Sequence, residues 1–214
     1  MNGIPEMNKE SKAEELANVI THGIGVILSL VGLILLLKAA WHQESTAVIA
    51  AFVFGISLLM LYMASTLYHL LSNSRHSKKI RIFDHVAIYF LIAGTYTPFT
   101  LLVLPAGWGW TLFAIVWVLA LAGVIFKIFF TGRFRLVSTF LYLGMGWLGI
   151  MAIEPMLASL PAAGLWWLLA GGLSYTAGVV FYLWQRLPFH HAVWHIFVLG
   201  GSVSHFVAIY FYVY

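Results

Sequence analysis

His191 and His195 stand four residues apart in the stretch Phe189-His190-His191-Ala192-Val193-Trp194-His195, at the start of the last apolar run. On a helix that spacing puts both imidazoles on one face, about one turn or roughly 6 Å apart. Two such histidines can ligate one metal ion. A third histidine, His69, closes the second apolar run, and Asp84 opens the third. Ionisable groups inside a membrane span are costly and mark function by default. Three histidines beside a carboxylate suit zinc. A three-histidine site leaves a fourth position for water, the catalytic pattern, whereas structural zinc closes all four positions. Asp84 can accept a proton from that water or orient it. Ser65 lies four residues before His69 and shares its helix face, so its hydroxyl can hold the water or a substrate oxygen.

Taken singly, each residue has a plainer reading. An isolated His-x-x-x-His arises by chance. His69 alone reads as a hydrogen-bonded core histidine. Asp84 alone reads as a cap on the third helix, where an acidic side chain is favoured. Glu14 and Glu15 alone read as a solvated helix face. The metal reading gains its weight from depth, because the second, third and seventh spans all bring their ionisable groups to the same end, where Glu14, Glu15, Asn18 and His22 of the first span also lie. His205 is the clearest exception.

The spans follow from composition and periodicity. Of 214 residues, 62% are hydrophobic and only 8% charged, with a mean hydropathy of +0.95. A soluble domain carries about 25% charged residues, so the chain reads as an integral membrane protein. There is no cysteine, which excludes disulfides and thiolate metal sites. The net charge of +4 reads as loop lysines and arginines rather than as a nucleic-acid surface. Residues 1–10 read as weakly structured, and no cleavable signal peptide is visible. Ser11 and Glu14 form a capping-box pattern. The expected spans are 20–40, 47–71, 82–104, 108–130, 136–153, 162–184 and 190–213. Pro98 is expected to kink the third. Glu154-Pro155 is expected to end the fifth, whose Gly144, Gly146 and Gly149 suit close helix contact. The domain division is 1–18 as a cytoplasmic N-terminal segment and 19–214 as one seven-helix transmembrane domain.

Charge orients this bundle. Lys9, Lys12, Arg75, Lys78, Lys79, Arg81, Lys127, Arg133, Arg135 and Arg186 fall on one side, and only Lys38 falls on the other. The positive-inside rule then places the N-terminus in the cytoplasm and the C-terminus outside. That is the reverse of a G-protein-coupled receptor.

Ser65-x-x-x-His69, Asp84 and His191-x-x-x-His195 together resemble the signature of the progestin and adipoQ receptor family, in its bacterial hemolysin III-like branch. Glu15-x-x-Asn18-x-x-Thr21-His22 matches that family's N-terminal motif. Asp84-His85 followed by Ala93-Gly94-Thr95-Tyr96-Thr97-Pro98 matches the bacterial branch. The resemblance runs from about residue 14 to residue 210. It implies an all-α, seven-helix membrane protein of the bacterial inner membrane, with zinc on His69, His191 and His195. Asp84 and Ser65 would stand around the bound water. The wider superfamily includes alkaline ceramidases, so the resemblance implies zinc-dependent hydrolysis of a lipid amide or ester and a role in membrane lipid homeostasis. The alternative is a sensor of a lipid or of bilayer state, with structural zinc. In both cases the partner is a membrane lipid, not a nucleic acid. A channel or cytolysin is disfavoured, because no charge-lined amphipathic stripe suited to a pore is evident.

Overall fold

The computed structural model describes residues 11–214. Residues 1–10, with Lys9 and the expected weakly structured leader, lie outside the described residues. The described chain is all helix. Helix α1 spans Lys12–Ala40, α2 Ser45–Leu70 and α3 Ser77–Pro98, the last continuing as a π-helical turn over Phe99–Val103. Then come α4 (Ala106–Phe130), α5 (Arg135–Trp147), a 3₁₀ segment (Leu148–Ala152) and α6 (Ile153–Ser159). Helices α7 (Ala162–Leu183) and α8 (His190–Tyr212) complete the chain. The turn after α3 joins it in one span, and α5, the 3₁₀ segment and α6 make another, so seven spans are long and apolar enough to cross a bilayer.

Local chemistry explains most boundaries. The Ser11 hydroxyl accepts from the Glu14 N–H and the Glu14 carboxylate accepts from the Ser11 N–H, a complete capping box. Pro98 withholds an N–H from the α-ladder. The next turn widens, and Leu104 N donates to Phe99 O across five residues at 3.0 Å. Two boundaries differ from the sequence reading. Helix α3 begins at Ser77 rather than near Ile82, which leaves Asp84 beyond the first turn and unable to cap it. The fifth span does not end at Glu154-Pro155 but continues to Ser159. After the 3₁₀ segment, Pro155 falls in the first turn of α6, where no intrahelical partner for its missing N–H is required.

Helices α1, α2 and α3 pack in sequence, α4 covers α3, and α8 closes the bundle between α7 and α1. The core joins Leu36, Ala40, Phe54, Leu58, Leu61, Ala208 and Ile209. A second cluster joins Tyr89, Val116, Ala120 and Met145 between α3, α4 and α5. Outward faces are apolar, with Ile27, Ile34, Val118, Phe129 and Phe140 exposed, while Asn18, His22, Ser65, His69 and His195 are buried. This inside-out distribution is what a lipid solvent selects. The α7–α8 seam is tight because a Cβ on Gly171 would strike His205 and one on Gly201 would strike Tyr175. The fifth span is different. A Cβ on Gly144 or Gly146 would meet nothing within 4 Å, so these two are not close-contact glycines. Instead the Tyr96 hydroxyl reaches the break in this span, donating toward Gly146 O at 2.8 Å and accepting from Gly149 N at 2.8 Å.

Gly201→Leu is expected to destabilise the detergent-solubilised protein by about 1–3 kcal/mol through overpacking, read as a lowered thermal midpoint. Gly144→Leu should leave that midpoint unchanged.

Candidate metal centre

The end of the bundle that holds the start of α1, the end of α2 and the start of α8 contains the histidines. His69 sits in the last turn of α2, and His191 and His195 in the first two turns of α8. One ring nitrogen from each lies within 4.8 Å of the others. Ring centroids are 5.0 Å apart for His69–His191, 4.6 Å for His191–His195 and 5.3 Å for His69–His195. Nitrogens around a tetrahedral zinc at ~2.0 Å stand roughly 3.3 Å from one another, so small ring rotations suffice to close the set.

The outer nitrogens explain which atoms are left to ligate. His69 Nδ1 donates to Glu15 Oε2 at 2.8 Å and lies 3.4 Å from Asn18 Nδ2. His69 Nε2 is buried with no hydrogen-bond partner. His195 Nδ1 lies 3.1 Å from Thr21 Oγ1. The Thr21 hydroxyl donates to Ala17 O at 2.8 Å, so its oxygen accepts from His195 Nδ1 and frees Nε2. Carboxylate or hydroxyl acceptors on the far nitrogen are the usual support of metal-ligating histidines. The residues therefore fit a metal ion: two buried imidazoles and a half-buried one, close enough to converge, with His69 Nε2 left without a hydrogen-bond partner.

Sequence places the polar residues of helix α1 at the depth of the histidines but leaves their role open. Glu15 is no solvated surface carboxylate, since it anchors His69. Asn18, Thr21 and His22 follow it on the same face at helical spacing. The signal was present in the 15, 18, 22 periodicity at the depth of the histidines. The His22 ring stacks on His195 with centroids 3.4 Å apart and a 14° tilt, and meets Tyr62 edge-on at 5.1 Å.

Asp84 stands outside the group of mutually close ligand atoms. Its carboxylate faces the Ser65 hydroxyl, with Arg81 and Lys127 as its cationic neighbours. Ser65 is 2% exposed. Lys127, counted above as a topology charge, is 2% exposed, with its ammonium 5.8 Å from the Tyr142 ring centre. A lone lysine in the apolar fourth span was the only sign of this. His85 does not join the histidines, since its Nδ1 donates to Arg81 O at 2.8 Å. His205 lies far along α8 with Nε2 3.2 Å from Leu168 O. An open cavity of about 560 Å³ lined by His42, Gln43, Glu44, Ala47, Leu102 and Val213 lies at the opposite end of the bundle and has no part in this site.

Fold and site thus define a multi-pass membrane protein with a buried three-histidine cluster able to hold a metal ion. The model of the haemolysin-III related family matches residues 10–206. The chain is 53% identical over 201 residues to a protein named hemolysin-3 from Bacillus cereus, covering 94% of this chain and 92% of the relative. It is 52% identical over 200 residues to a hemolysin-3 homolog of Bacillus subtilis, covering 93% and 94%. It is 31% identical over 214 residues to the human monocyte to macrophage differentiation factor, covering 94% and 85%. The chain belongs to the haemolysin-III related family, the bacterial branch of the progestin and adipoQ receptor proteins, and is a multi-pass protein of the bacterial plasma membrane.

Glu15→Ala and Thr21→Val are each expected to weaken metal binding by about 10–100-fold, the usual cost of losing the support of a ligating histidine. Chelator competition measures it. Unchanged affinity in both would show that α1 does not orient the rings.

Proposed function

We propose that the protein is a zinc-dependent hydrolase of a membrane lipid amide or ester, working at the cytoplasmic leaflet and serving lipid homeostasis. The observation that carries the reading is a cluster of three histidines, two of them buried, whose ligand group leaves out the Asp84 carboxylate that faces Ser65. A structural zinc site closes its fourth position with a protein ligand, whereas a catalytic one leaves it open. Held by His69, His191 and His195, zinc would supply Lewis-acid polarisation of a carbonyl and acidification of water. Asp84 takes the proton of the attacking water on its carboxylate and returns it to the departing amine or alcohol. Ser65 donates to Asp84 and fixes which carboxylate oxygen faces the substrate. Glu15 and Thr21 keep the outer nitrogens of His69 and His195 protonated, so that Nε2 of each points inward. Burial excludes bulk water and strengthens each of these interactions.

The loop charges support a cytoplasmic N-terminus and therefore an inner-leaflet site. The name of the Bacillus cereus relative suggests lysis, but the spans here turn polar side chains inward and apolar ones outward. Among the described residues, the outward faces offer no polar stripe to line a pore between copies.

His69→Ala and His191→Ala should each lose most of about one zinc per chain, read by metal analysis of purified protein. Stoichiometric zinc in both would remove them as ligands. Asp84→Asn should keep the metal and lower turnover of a ceramide or fatty amide by roughly 10²–10⁴-fold, the range of general acid–base help. Loss of zinc in Asp84→Asn would instead make Asp84 a ligand. A native protein that holds zinc but turns over no lipid amide or ester would favour the sensor.

Orientation has its own test, helped by the absence of native cysteine. Cysteines at Asn73 and Gln43 should react with an impermeant thiol reagent from opposite faces, Asn73 from the cytoplasm. Reaction of Asn73 from outside would overturn the inner-leaflet placement.

A further inference from the structure

Two of the three clustered histidines ride on α8, which, like α5 at Phe134, opens on a left-handed phenylalanine. Phe189, its N-cap, holds φ 57° and ψ 18°, in the left-handed region. Bulky side chains resist that region, since Cβ crowds the neighbouring carbonyl. A residue stays there only when its surroundings over-determine it. The surroundings of Phe189 are specific. Its N–H donates to Glu14 Oε1 at 3.0 Å. The other oxygen of the same carboxylate, Oε2, accepts from Ser11 N at 2.8 Å. One side chain thus satisfies an orphan donor at the start of α1 and another at the start of α8, 175 positions away in sequence. The Phe189 carbonyl meanwhile accepts from Val193 N at 3.0 Å and opens the α8 ladder.

This arrangement sets register. Each residue of an α-helix turns the chain by about 100°. If Phe189 relaxed to an ordinary conformation, α8 would enter the bundle rotated, and His191 and His195 would leave His69. Glu14 also belongs to the helix that supports the outer nitrogens of His69 and His195 through Glu15 and Thr21. The clasp therefore ties the supporting helix directly to the ligand-bearing one.

We infer that Glu14 is a positioning residue for the metal centre: its carboxylate clasps the left-handed Phe189 and so holds the His191–His195 pair in register with His69. The inference rests on metal binding by the three histidines, as proposed above.

The test uses the full-length protein in detergent micelles, with zinc affinity read by chelator competition and fold by thermal midpoint. Gln at position 14 keeps one acceptor oxygen where Glu supplies two. Glu14→Gln should therefore weaken zinc binding roughly tenfold, the scale set by releasing one left-handed residue. Ser11→Ala removes the other arm of the capping box but keeps the Phe189 contact, so it should lower the midpoint with zinc affinity intact. In Glu14→Gln/Phe189→Gly, glycine takes the left-handed conformation without cost, and zinc affinity should return to within about twofold of the native value. Equal zinc loss in Glu14→Gln and Ser11→Ala would show only helix capping and overturn the inference. So would native affinity in Glu14→Gln, or the absence of rescue by Phe189→Gly. A native protein that binds no zinc at all would overturn instead the metal reading on which the inference stands.

Discussion

The structure depends on the hydrogen bond between the His69 ring and the Glu15 carboxylate. It pairs a buried imidazole in α2 with a partly exposed carboxylate at the start of α1. In a bundle whose outer faces meet lipid, a polar group must find its partner inside the protein. Once Nδ1 of His69 is committed to Glu15, the tautomer is set and Nε2 is directed toward His191 and His195. The depth and rotation of α1 against α2 follow from the same contact. Asn18, Thr21 and His22 then fall against the histidines because they share its helix face.

This makes α1 a support of the histidine cluster as well as a membrane span. Glu14 reaches the start of α8, Glu15 holds His69, and Thr21 holds His195. The histidine-bearing helices α2 and α8 are thus supported from one side by one continuous helix. On the other side stands a different chemistry, with Asp84 beside Ser65 and cationic neighbours Arg81 and Lys127. The two sides differ in kind: α1 contacts the imidazoles, and α3 carries the carboxylate.

The fifth span contrasts with this rigidity. It passes from α-helix to 3₁₀-helix and back, and two of its glycines face open space. Tyr96 satisfies the backbone groups exposed at the break. Non-helical backbone at membrane depth is tolerated only where another part of the protein supplies such partners. The π-helical turn after Pro98 lies close by in sequence to Tyr96, so one short stretch of α3 both deforms itself and repairs its neighbour.

Composition and pattern alone determined a good deal of this protein. A 62% hydrophobic chain with 8% charge can only be solvated by lipid, and the apolar runs between charged loops set seven spans. The Ser11–Glu14 cap was legible because it is local. The coincidence of His69, His191 and His195 was legible because helical rise converts sequence position into depth. What sequence could not decide was rotation about each helix axis, since that is set by side-chain packing between neighbours. Hence His85, at the same depth, turned out to face its own backbone, while Glu15 turned inward and Lys127 proved buried. The continuation of the fifth span past Pro155 also required the tertiary structure. A proline is compatible with either a helix end or a first turn, and only the preceding 3₁₀ segment chose between them. The left-handed Phe189 was invisible for a related reason. Nothing in its residue type favours that conformation, and the carboxylate that holds it comes from the far end of the chain.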